Sequence, residues 1–182
     1  MHAEHFHRRS IRLPEYDYSQ AGLYYLTIRT HQRAQLFGRV VDGKMQSNTS
    51  GQIAHDEWLR TAEVRSNVVL VKFVVMPNHV HVLFWIVDDL IRPDTPVACP
   101  DGQRIRRFGE SVPGSASAIM RQYKSLVTKQ INRILNTPGA SLWQRNFYER
   151  VVRDEREANN TRRYIVENPM QWHLDRNNLA NM

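Results

Sequence analysis

The amino-acid sequence predicts an α+β fold: a ferredoxin-like sandwich with a central antiparallel sheet and one helix added after it. Three observations carry this. The apolar period switches between two and about 3.6 in the order β, α, β-β, α, β, α. Two long β-rich runs meet at Pro77-Asn78, a pair suited to the centre of a tight turn, which places a hairpin in the middle of the sheet. A further helical stretch follows the last strand.

Each element has its own signal. "GLYYLTIRT" (22–30) sets Tyr24, Leu26 and Ile28 on one face and Tyr25, Thr27 and Arg29 on the other, a half-buried strand. "LFGRVVDGKMQ" carries Asp42-Gly43 between short β-prone pieces, a hairpin signal. From Thr49 to Ala62, Ala54, Trp58 and Ala62 form a helical stripe with Ile53 beside it. "NVVLVKFVVMPNHVHVLFWIV" supplies the two long strands. Residues 88–114, with four prolines and the basic cluster "RIRR", read as an exposed insertion.

"SASAIMRQYKSLVTKQINRIL" is the clearest helix, with Ile119, Tyr123, Val127, Ile131 and Ile134 at helical spacing. After the Pro138-Gly139 break, "SLWQRNFYERVV" reads as a strand. "DEREANNTRRYIVEN" reads as a final helix opened by Asp154, with Glu157 three residues on, and closed at Pro169. The predicted layout is a basic arm (1–20), a domain (21–170) with the insertion (88–114), and a C-terminal tail (171–182).

Composition narrows the function. A chain of 182 residues that is 41% hydrophobic can build one cored domain and is not a disordered chain. Lys and Arg total 25 against 18 acidic residues, a net charge of +7 supplied largely by arginine. That excess suits a polyanion, and nucleic acid ahead of membrane, because no basic amphipathic helix has a broad apolar face. Cys99 is the single cysteine, which excludes an intrachain disulfide and a cysteine-built zinc site. No signal-peptide core and no apolar run of about 20 residues is present, so the expected location is cytoplasmic, with no membrane contact.

The chemistry centres on "MPNHVHVLFW" (76–85). On a strand, His79 and His81 point to one face while Val80, Val82, Phe84 and Ile86 cover the other. Two adjacent imidazoles make a bidentate start to a metal site, and they serve equally as a hydrogen-bonded surface feature; the spacing alone leaves both open. His2, His5, His7, His31, His55 and His173 have no comparable spacing. In "RRYIVENPM" (162–170), Tyr164 and Asn168 stand four apart on a predicted helix and share a face, offering a phenol and an amide oxygen beside Arg162 and Arg163. Tyr123 is a rival nucleophile, but its place in the apolar stripe assigns it to the core. Trp143, Phe147 and Tyr148 are assigned to sheet packing.

"MPNHVHVLFW" resembles the His-hydrophobic-His motif of the HUH single-strand nucleases. With "WQRNFYERVVRDE", "YIVENP" and the N-terminal "RRSIRLPEYDYSQAGLYYLTIRTHQRAQLFG", the chain resembles the REP-associated tyrosine transposases over most of its length outside 88–114. The resemblance implies a ferredoxin-like fold. It also implies a metal-binding pair, His79 and His81, a nucleophile, Tyr164, and a third metal-side position, Asn168. A divalent cation, Mg²⁺ or Mn²⁺, would bind the scissile phosphate, and Tyr164 would attack phosphorus to leave a 5′-phosphotyrosine link and a free 3′-OH. The implied partner is single-stranded or hairpin DNA, contacted by Arg8, Arg9 and Arg12 of the arm and by Arg145, Arg153, Arg162 and Arg163. Arg104, Arg106 and Arg107 of the insertion read as solvated charge. Monomers and helix-exchanging homodimers both occur among such transposases, so the subunit that supplies Tyr164 is open. The competing readings are a domesticated, inactive hairpin-binding protein, an RNA-binding ferredoxin-like domain, and an HUH replication or conjugation initiator.

Overall fold

A computed structural model describes residues 20–87 and 114–178. The predicted arm and insertion, with Arg8, Arg9, Arg12, Arg104, Arg106 and Arg107, lie outside the described residues apart from Gln20 and Gly114.

Among the described residues, six strands and three α-helices follow the predicted order: β1 (Gly22–Arg29), β2 (Gly38–Val41), β3 (Lys44–Ser47), α1 (Thr49–Glu63), β4 (Val68–Met76), β5 (His79–Ile86), α2 (Ala116–Leu135), β6 (Tyr148–Val152) and α3 (Glu155–Glu167). The main sheet runs β4-β5-β1-β6 with every neighbour antiparallel, the ferredoxin-like order. β2 and β3 form a separate ribbon closed by Asp42 and Gly43, both at positive φ (50° and 70°), which is why Asp-Gly marks the turn.

Local signals fix the helix starts. The side chains of Asn48, Ser115 and Asp154 cap α1, α2 and α3 by accepting from Gly51, Ala118 and Glu157 backbone N–H. Glu157 Oε2 in turn accepts from the Arg153 backbone N–H at 3.1 Å, the reciprocal half of the expected capping box one residue early.

The sheet separates two cores. On one face, Tyr24, Leu26, Ile28, Val80, Val82 and Phe84 meet Trp58 of α1 and Ile119, Tyr123, Val127 and Ile131 of α2. On the other, Leu23, Leu83 and Val152 meet Ala158 and Ile165 of α3. The second core is small, so Ile165, fully buried and contributing about 1.5–3 kcal/mol, is a principal anchor of α3. Among the described residues no helix is long and apolar enough to cross a membrane.

Two expectations are corrected. The strand read over 141–152 is only Tyr148–Val152. The preceding loop crosses the end of β1 instead, with Leu142 O accepting from His31 N (2.8 Å) and Gln144 N donating to Arg29 O (2.8 Å), and it sends Trp143 into the larger core. Ile134, read as part of the α2 stripe, is 58% exposed; the buried stripe ends at Ile131.

Candidate active site

The site begins with strand alternation. Val80 and Val82 point into the larger core, which turns His79 and His81 to the opposite face, where both are almost fully buried. The β1/β5 register sets Arg29 opposite His79 and Thr27 opposite His81, so Tyr25, Thr27 and Arg29 share that face.

Hydrogen bonds orient both rings. His79 Nδ1 lies 2.9 Å from Asn78 Oδ1, and the Asn78 amide nitrogen donates to Arg33 O and Asn177 O, so the amide is oriented and His79 donates through Nδ1. His81 Nδ1 lies 2.8 Å from both the Tyr25 hydroxyl and Thr27 Oγ1. The two Nε2 atoms face each other at 2.9 Å, and Asp175 Oδ2 is 3.8 Å from His79 Nε2.

Electrostatics keep the pair neutral. Burial pushes the His79 pKa down to about 4, with Arg29 pushing the same way and Asp175 opposing. Burial, then His79 and Arg29, holds His81 well below the ordinary histidine value. Neutral imidazoles are the ligating form. One donor atom each from His79, His81 and Asp175 lies within 4.8 Å of the others, and the buried Asn168 Oδ1 beside them has no hydrogen-bond partner. Two nitrogens with a carboxylate and an amide oxygen fit a divalent cation of the Mn²⁺ or Mg²⁺ type.

α3 brings the tyrosine over this group. Ile165 is buried in the smaller core, while Tyr164 beside it lies over the His81 ring at 5.2 Å between centroids and meets Tyr25 edge-on at 6.5 Å. Asn168, one turn on, is buried against the same site, as the four-residue spacing required. Burial, then Asp175, raises the Tyr164 pKa, whereas Asn168, Arg176 and Arg29 lower it. The resting group is therefore a phenol.

Tyr164, His81, Asn168 and Asp175 line a cleft of about 780 Å³, with Arg29, Arg150, Arg156 and Arg176 among its walls. Of the arginines named from sequence, Arg162 bonds Asn159, and neither it nor the exposed Arg163 and Arg153 lines the cleft. Arg145 lines a different groove with Arg121, Lys124 and Lys129. Tyr148, read as sheet packing, instead lines the cleft with its ring 6.1 Å from Tyr25. Tyr123 is core as expected, and its hydroxyl donates to Ala54 O.

Sequence reasoning missed Asp175 and the four cleft arginines. The segment set apart as a tail carries Asp175, and its described part packs on the site: Trp172 lies 6.0 Å from the His79 ring and Asn177 O is bonded by Asn78. Arg29 had a signal, since the β1 alternation already placed it on the face of Tyr25 and Thr27.

A ferredoxin-like domain with a buried His-x-His pair on a central strand, facing a tyrosine on an added helix, is the class of protein that fold and site define. No family model matches the chain. The chain belongs to one family with an uncharacterized protein of Haemophilus influenzae (strain Rd), to which it is 32% identical over 170 residues, covering 93% of this chain and 92% of the relative. Its fold is that of the REP-associated tyrosine transposases: a solved structure of one bound to a REP hairpin matches 88% of this chain and 74% of its own, with a TM-score of 0.54 and 18% identity.

Proposed function

We propose that this protein is a divalent-cation-dependent single-strand DNA nuclease and strand transferase that acts on hairpin-forming repeats, with Tyr164 as nucleophile. The observation that carries the reading is the seating of Tyr164 on the His81 ring inside a cleft walled by arginines. The fold shared with a transposase bound to a REP hairpin supports the substrate class.

His79 and His81, with Asp175 and Asn168, would hold the cation, Mn²⁺ or Mg²⁺. When bound, it supplies Lewis-acid polarisation of the scissile phosphate and offsets charge in the transition state. The Tyr164 phenol loses its proton as its oxygen bonds to phosphorus; the P–O3′ bond breaks, and the departing 3′ oxygen takes up a proton. The product is a 5′-phosphotyrosine link and a free 3′-OH, and attack by a second 3′-OH rejoins a strand without a nucleotide cofactor. The contact of the Tyr164 ring with His81 of the same chain supports a nucleophile that acts in its own subunit. Arg145, Arg153, Arg162 and Arg163 are proposed to hold DNA outside the cleft, Arg8, Arg9 and Arg12 of the arm are proposed as further DNA contacts, and the proposed setting is the cytoplasm.

The test uses single-stranded hairpin oligonucleotides taken from the DNA that flanks the gene. Incubation with Mn²⁺, a denaturing gel and peptide mapping should give a phosphotyrosyl adduct at Tyr164. Tyr164→Phe should give none while it keeps hairpin affinity, because only the nucleophilic oxygen is lost. Tight hairpin binding by wild-type protein with no adduct would instead make this a non-catalytic hairpin binder.

A further inference from the structure

Arg29 occupies an unusual place. Its backbone is fixed at the end of β1: it pairs with His79 across the sheet, and its carbonyl accepts from Gln144 N. Thr27 on one side holds His81, and Thr30 on the other donates to Ala34 O and Asn78 O. The side chain therefore projects from a rigid frame into the cleft that also holds Tyr164 and Asp175. It is partly buried, and among the described residues its guanidinium makes no hydrogen bond or ion pair that holds it to one place; Asp175 attracts it electrostatically. Arg33 and Arg176 add positive charge nearby.

A partly buried guanidinium on a cleft wall keeps five N–H donors, and partial desolvation strengthens its pull on an anion that enters the cleft. A phosphodiester is the anion that matches it, because its two non-bridging oxygens meet the guanidinium fork. We propose that Arg29 is the seat of the scissile phosphodiester, gripping its non-bridging oxygens while Tyr164 attacks. This rests on the function proposed above and names the group that places the substrate in it. Arg176, on the same cleft wall, would take the adjacent phosphate.

The test compares wild type with Arg29→Met, which keeps the stem and removes the charge, and with Arg29→Lys. The first measurement is the thermal midpoint without DNA. A seat for substrate predicts a midpoint for Arg29→Met equal to or above wild type, whereas a structural cation predicts a fall. The second is equilibrium binding of a short labelled single-stranded DNA, without divalent ion, across a range of NaCl. Arg29→Met should bind about tenfold more weakly, with the slope of log affinity against log salt reduced by about 0.7, the value of one phosphate contact on a single strand. Arg29→Lys should restore the slope.

The third measurement is the rate of adduct formation on a phosphodiester and on a methylphosphonate placed at the mapped cleavage position. Loss of the guanidinium should slow the phosphodiester strongly and leave the methylphosphonate, which lacks the anionic oxygen, nearly unaffected. An unchanged salt slope, or an equal loss on both substrates, would overturn the assignment of Arg29. An altered slope in a protein whose wild type forms no adduct would overturn the transferase reading and leave the phosphate seat standing.

Discussion

The Nε2 atoms of His79 and His81 face each other at 2.9 Å, and each ring is held from behind through its Nδ1, by Asn78 for His79 and by Tyr25 with Thr27 for His81. In the cation-free protein His79 donates through Nδ1, so the proton between the rings sits on His81 Nε2. For both Nε2 atoms to hold a cation as neutral imidazoles, His81 would carry its proton on Nδ1 instead, where the Tyr25 and Thr27 hydroxyl oxygens can accept it.

Loss of those partners should weaken binding of the cation, and for Asn78 it should also loosen the Asp175 segment that its amide holds. Asn78→Ala is expected to reduce Mn²⁺ affinity by about 10–100-fold, the range for partners of ligating histidines. Tyr25→Phe should have a smaller effect, because Thr27 Oγ1 still reaches His81 Nδ1. The spectroscopic signal of free Mn²⁺ during titration reads both, independently of any cleavage.

Asp175 and Asn168 compete for the role of third ligand. Asp175 offers a carboxylate near His79 Nε2, and Asn168 a neutral amide oxygen. Asp175→Asn should therefore weaken Mn²⁺ binding more than Asn168→Ala does. The reverse order would return the position to Asn168. Because Asp175 raises the Tyr164 pKa, Asp175→Asn should also move the ultraviolet titration of that phenol downward.

Acid should destabilise the fold through the histidine pair. The His79 pKa is about 4 when folded against about 6.5 when unfolded, so between those values the unfolded chain binds a proton that the native chain does not. Stability then falls as pH drops from about 6.5 towards 4, and it is indifferent to this group above that window. Urea midpoints at several pH values should follow that course for wild type and change less steeply for His79→Phe, which leaves only His81 to contribute.

Tyr123 separates the two tyrosines by a different observable. Its buried hydroxyl donates to Ala54 O at 2.8 Å, a second bond on a carbonyl that already belongs to the α1 ladder, so Tyr123→Phe loses one hydrogen bond and should cost about 0.5–1.5 kcal/mol in urea unfolding. Adduct yield per folded molecule should stay at the wild-type level, opposite to the behaviour expected of Tyr164→Phe.

Much of this architecture was legible because it is periodic. Alternation along "HVHVLFWI" fixed which face carries the histidines, and the four-residue step from Tyr164 to Asn168 put a phenol and an amide on one side of a helix. The pieces that escaped are not periodic. Asp175 reaches the site through an irregular segment held by single polar bonds, such as Asn78 to Asn177 across 99 residues, and such contacts leave no mark on neighbouring sequence. Ile134 escaped for the opposite reason: the helical pattern continues through it after the core beneath has ended. Tyr148 alternates on β6 like any strand aromatic, and only the position of α3 decides that its face is a cleft.

The 99-residue span between Asn78 and Asn177 also has a temporal meaning. At ribosomal rates of roughly 5–20 residues per second, the histidine strand waits on the order of 5–20 s for the helix and turn that complete its surroundings. Until Tyr164 is made, the sheet and its larger core can form without a nucleophile in reach. A nascent chain is thus folded before it is armed, and the strand-cutting chemistry proposed for this site would be confined to molecules whose synthesis has passed Asn177.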